Sequence, residues 1–158
     1  MEWSSVINDP VLSELPFKIE LNEWGKIEMS PASNWHGLLQ SAIAFILKEQ
    51  LPAGKTLVEC SILTSKNVKV ADVVWCSDDF FRRHGTATPY PVSPEIVVEV
   101  ASPNNSLAEL IEKKTLYFEK GATEVWLCEE SGRILFYRPD GKLVESVCCP
   151  GFPQKVAV

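Results

Sequence analysis

Three absences narrow this chain before any motif is read. There is no C-x-x-C pair, and the five cysteines (Cys60, Cys76, Cys128, Cys148 and Cys149) are odd in number. Neither a disulfide framework nor a zinc site follows from that spacing, and a reducing cytoplasm is the expected setting. There is no apolar run long enough to cross a bilayer. The longest helical one, Leu38 to Leu47, is too short, and the first residues lack the basic-then-apolar pattern of a secretory leader. No membrane partner is expected. There is also no excess of positive charge: the formal net charge is -6. That argues against a nucleic-acid footprint over the whole surface, although a local basic groove remains open.

What is present suits one domain with a sizeable core. The 158 residues are 46% hydrophobic and 23% charged, without internal repeat or low-complexity linker. A single unit over 1–158, with its core at about 17–147, is expected. Phe17 to Leu21 alternates with period two and predicts a strand, with Lys26 to Met29 pairing back as a hairpin. Ser33 or Asn34 can cap a helix to about Gln50. Strands are predicted at Thr56–Leu63 and Val68–Trp75, then a loop from Ser77 to Ser93, then a strand at Glu95–Ala101. A helix follows from Leu107 to about Lys120, closed by Gly121 in the left-handed conformation. Glu124–Cys128 is another apolar strand. The turns Ser131-Gly132 and Asp140-Gly141 predict strands near Arg133–Tyr137 and Lys142–Val147. The fold class is therefore α/β.

Two acids stand inside apolar strands. Glu99 lies in Ile96-Val97-Val98-Glu99-Val100-Ala101, and Asp72 in Val70-Ala71-Asp72-Val73-Val74-Trp75. A buried carboxylate without a partner is costly, so each acid needs a cation: a metal, a lysine or an arginine. Strand alternation puts Glu99 on a face with Glu95, Val97 and Ala101, and Asp72 on a face with Val70 and Val74. If the strands are neighbours, the acids converge. Two carboxylates can hold Mg²⁺ while water and phosphate oxygens complete its shell, and a lysine nearby can steady charge building on phosphorus.

The ordered elements Met29-Ser30-Pro31, His36, Asp72, Pro94 to Pro103, Glu109, Lys113, Tyr117, Gly121 and Glu124-Val125-Trp126 resemble the Uma-two family of restriction-endonuclease-like proteins. That family belongs to the PD-(D/E)xK nuclease superfamily, and the resemblance runs roughly from Phe17 to Arg138. It implies a restriction-endonuclease-like mixed central β-sheet flanked by helices, with carboxy-terminal β-hairpins. It further implies a Mg²⁺- or Mn²⁺-dependent endonuclease-type site acting on nucleic acid, with DNA the expected partner and the choice between DNA and RNA left open. Asp72 falls at the motif aspartate and Glu99 at the second acid, so both would ligate metal and act in catalysis. Ala101 stands where the superfamily often has lysine. In this family that lysine comes from the following helix, where Lys113 matches by its spacing to Tyr117 and Gly121. The helical wheel alone favours Lys114, because Leu107, Ile111, Lys114 and Phe118 recur at helical spacing. Ala71 replaces a usual proline and Glu95 a usual aspartate; the two acids themselves match.

His36 and Gln40, one helical turn apart, are candidate substrate contacts. Each site residue has a plainer alternative: Asp72 and Glu99 as structural acids paired with lysine, Lys113 as a solvated partner of Glu109, His36 as a satisfied helix-start histidine. Glu28 and Glu59 are the nearest substitutes for the acid the superfamily often carries on the first helix, but each reads as an ordinary strand carboxylate. The Arg82-Arg83-His84 run could meet phosphate, and its plainer reading is a solvated loop. The rival to a nuclease is a catalytically silent interaction or homodimerisation module on the same fold.

Overall fold

The computed structural model describes residues Met1–Val158. The six-stranded sheet runs in the order β3 (Lys55–Thr64), β4 (Asn67–Cys76), β5 (Ile96–Val100), β6 (Glu124–Cys128), β7 (Ile134–Arg138), β8 (Gly141–Leu143). Only β5 and β6 are parallel; the other neighbours are antiparallel. Parallel neighbours need a crossover, and helix α4 (Leu107–Glu119) supplies it. A separate two-stranded hairpin, β1 (Phe17–Leu21) and β2 (Ile27–Pro31), pairs Phe17 with Pro31 and Leu21 with Ile27. The mixed α/β architecture is the one expected from the sequence. No helix is long and apolar enough to cross a membrane.

The sheet has an apolar cluster on each side. Helix α2 (Asn34–Gln50) buries Leu39, Ile43 and Leu47 against Val73, Ile96, Val98, Val100 and Trp126. Ser33 caps this helix by accepting from the His36 N–H. The second cluster joins Leu110 and Tyr117 of α4 to Val74, Val97, Val125 and Leu127. Helix α4 starts with a reciprocal capping box between Ser106 and Glu109.

Four expectations need correction. The segment Ser77 to Ser93 is not all loop, because α3 spans Asp78–His84. Ser77 caps it, Asp78 and Asp79 suit its positive end, and Phe80 packs edge-on to Tyr90. Before the hairpin, and ahead of the expected core, the chain forms a short helix α1 (Trp3–Ile7) that buries Val6. Strand β8 ends at Leu143, because the backbone beyond it turns to Glu124: Val147 and Cys148 donate to one carboxylate oxygen, and Ser146 and Trp126 to the other. Lastly, the inward stripe of α4 is Leu110, Leu116 and Tyr117, while Leu107 and Ile111 face outward at 67% and 45% exposure.

A fork in the sheet carries two acids

Strands β4 and β5 pair only from Val73↔Val98 to Trp75↔Ile96. One residue further they part, and that is where Asp72 and Glu99 stand. The Val100 N–H donates to Asp72 Oδ2 at 2.7 Å, so the side chain satisfies a backbone group that the interrupted ladder leaves free. On the other flank Glu59, opposite Asp72 in β3, has a left-handed φ of 51°. Gln40 Nε2 donates to the Asp72 carbonyl at 3.1 Å and to Glu59 Oε1 at 2.9 Å. Irregular backbone thus brackets Asp72 on both sides. Strict alternation fails here as well: Ala71 and Val74 pack in one cluster and Val73 in the opposite one. The expected face shared by Asp72, Val70 and Val74 is therefore too simple.

Both acids are sequestered, Asp72 at 1% exposure and Glu99 at 0%. Each has its cation. Lys18, from β1, places Nζ 2.6 Å from Asp72 Oδ1 and 3.9 Å from Glu99 Oε2. Lys113, from α4, places Nζ 3.5 Å from Glu99 Oε2 and 2.7 Å from Glu20 Oε1. Tyr117 donates its hydroxyl to Glu99 Oε1 at 2.6 Å. His36 Nε2 lies 3.3 Å from Asp72 Oδ2. Lys114 is elsewhere, 4.1 Å above the Tyr137 ring. Asp72, Glu99, Lys113 and His36 therefore lie in one cluster, and Gln40 borders it through the Asp72 carbonyl. Arg82 and Arg83 instead pair with Asp79 on α3.

Opposed forces set the charges. Burial pushes the Asp72 carboxyl up, yet Lys18 and His36 together hold it well below the usual aspartate range. For Glu99 burial wins: its carboxyl is raised despite Lys113 and Lys18. Burial disfavours the Lys18 ammonium, but Glu99, Asp72 and Glu20 outweigh it and keep the amine charged; Lys113 behaves likewise beside Glu99 and Glu20. Glu20 sits below its ordinary value because Lys113 and Lys18 overcome its burial. His36 is raised, chiefly by its contact with Asp72.

Sequence reasoning missed Lys18 and Glu20. They sit two apart on β1, and Glu20 Oε1 also accepts from the Val70 N–H at 2.8 Å, which docks the hairpin on β4. A small cavity of about 50 Å³ opens beside Asp72, bordered also by Lys18, His36, Glu59 and Lys113. A polar groove of about 520 Å³ lies next to it, lined by Glu20, Glu23, Glu28, Glu109, Glu112, Lys66, Lys69 and Lys113 among others.

The donor set accepts a hard divalent cation in one respect and not in another. Asp72 and Glu99 offer carboxylate oxygens that already share one cation, the Lys18 ammonium, and Mg²⁺ is commonly held by one or two carboxylates with water and phosphate. No group of three or more His, Cys, Asp or Glu side chains is arranged to hold a metal alone. At most the pair would offer Mg²⁺ or Mn²⁺ two carboxylates, with water and phosphate left to complete the shell.

The family model "Uma2: Putative restriction endonuclease" matches residues 12–155. No curated protein sequence matches the chain. Among solved structures, the chain resembles one described as "a putative nuclease belonging to DUF820" from Anabaena variabilis ATCC 29413. The TM-score is 0.67 at 19% identity, covering 77% of this chain and 72% of that one. At that identity the likeness is one of fold.

Proposed function

We propose that this chain, which belongs to the Uma2 family of restriction-endonuclease-like proteins, is a metal-dependent nuclease whose centre is the fork between β4 and β5. The observation that carries this reading is that two fully buried acids from neighbouring strands share a single cation, with a second lysine 3.5 Å from Glu99. Asp72 and Glu99 would hold Mg²⁺ or Mn²⁺. Such an ion, when bound, polarises a phosphate oxygen and lowers the pKa of bound water. Asp72 is suited to its part because it stays ionised at neutral pH and is oriented by the Val100 N–H and Gln40's grip on its carbonyl. Glu99 is fixed by the Tyr117 hydroxyl. Lys113, oriented by Glu20, supplies positive charge toward a phosphate in the cavity, where water exclusion strengthens it. His36 borders the same cavity and is the candidate phosphate contact. The whole of 1–158 is read as one catalytic unit acting on nucleic acid, DNA first.

One observation favours the silent-module reading. The groove beside the site carries five glutamates against three lysines, a balance that repels phosphate. Calorimetric titration with Mn²⁺ of wild type and Asp72→Ala separates the two. Saturable binding lost in the variant supports the nuclease; no heat of binding in either leaves a structural ion-pair cluster.

A further inference from the structure

We propose that Lys18 is an internal counter-cation that competes with metal: its ammonium holds Asp72 and Glu99 together in the metal-free protein, and metal enters only when Lys18 withdraws. This rests on the reading that the two acids are the metal ligands. Four observations support it. First, Lys18 alone bridges both acids, at 2.6 and 3.9 Å; Lys113 reaches Glu99 but pairs with Glu20. Second, Lys18 comes from a hairpin outside the six-stranded sheet, so moving it breaks no hydrogen bond of that sheet. The hairpin stays docked through Glu20 on the Val70 N–H and through Lys69 on the Leu21 carbonyl.

Third, the lysine has somewhere to go. Its side chain keeps 15% exposure and borders the 50 Å³ cavity, whereas the acids it bridges are at 1% and 0%. A long flexible stem carrying a strongly hydrated charge suits such a move. Fourth, the local charge favours exchange. Glu20, Asp72 and Glu99 face Lys18 and Lys113. Without Lys18, three carboxylates would face one ammonium and the His36 ring that contacts Asp72, a balance still on the acidic side that attracts a divalent cation. Lys18 thus sets the metal concentration at which the site loads, while letting the chain fold without metal.

The test is Mn²⁺ calorimetry on wild type, Lys18→Met and Asp72→Asn, with melts in chelator and in Mn²⁺. Lys18→Met should bind Mn²⁺ at least tenfold more tightly, melt lower in chelator, and regain more from Mn²⁺ than wild type does. If Asp72→Asn abolishes binding but Lys18→Met binds no more tightly than wild type, the metal reading stands and the competition fails. If neither wild type nor Lys18→Met binds Mn²⁺, both fail. Should Lys18→Met not fold, the wild type decides through amine acetylation read by mass spectrometry. Saturating Mn²⁺ should raise labelling of Lys18 severalfold relative to exposed Lys26; unchanged labelling overturns the proposal.

Discussion

Asp72→Asn is the most informative single change for stability. The variant keeps an oxygen for the Val100 N–H but discharges the closest partner of Lys18. Removing one member of a buried pair typically costs about 3–5 kcal/mol. Here Lys18 retains Glu99 at 3.9 Å and some water, its side chain being 15% exposed, so a loss of about 2–3 kcal/mol is expected after discounting for solvent. For a chain of this size, that lowers Tm by about 4–12 °C. The pH dependence has a definite sign. The folded Asp72 carboxyl lies below its ordinary 3.8. Its contribution is therefore complete above that value and is lost as pH falls through the folded one. His36 is raised above its ordinary 6.5 by the same contact. That contribution is complete below 6.5 and fades as pH rises through the raised value. The gap between wild type and variant should be widest near about pH 5–6, narrowing in both directions. Urea melts across pH measure it. A gap under about 0.5 kcal/mol at pH 6, or one that does not shrink in acid, would refute the ion-pair reasoning.

Other changes test the supports of the site. Glu59→Gly relieves a left-handed conformation costing about 1–2 kcal/mol, partly offset by glycine's chain entropy, so stability should hold or rise by up to about 1 kcal/mol. Cleavage should fall because Gln40 loses an acceptor beside Asp72; a strongly destabilised variant in urea melts would contradict this. Glu124→Gln turns an amide donor toward groups that now donate to a carboxylate, and should cost about 2–4 kcal/mol. Its carboxyl is held low by Ser146, Trp126 and two backbone N–H groups against its burial, so this contribution is present above the ordinary glutamate pKa and lost in acid. Hydrogen exchange of Val147 and Cys148 should quicken; unchanged rates would count against the staple.

Asp72 and Glu99 were legible because an acid inside a β-branched run announces its own cost. Lys113 was indicated only by the family resemblance, through its place relative to Tyr117 and Gly121; the helical wheel pointed to Lys114. Lys18 and Glu20 gave no signal. On an alternating strand, charges lining a buried site look the same as charges facing water. The fork between β4 and β5 and the left-handed Glu59 are consequences of strand divergence that no local pattern encodes. Helix α3 was visible in Ser77, Asp78 and Asp79 but was masked by the prolines and glycine that follow.

We propose a metal-dependent phosphodiesterase centre at Asp72 and Glu99. It is tested most directly by incubating labelled double-stranded DNA, single-stranded DNA and RNA with wild type and Glu99→Gln, in Mg²⁺, Mn²⁺ or chelator. Wild type should cut at least one substrate only with divalent ion, and Glu99→Gln, still folded, should lose about a hundredfold or more of that rate, the scale of one electrostatic group in a dry site. Equal cleavage by both proteins, cleavage in chelator, or no cleavage of any substrate would contradict the claim.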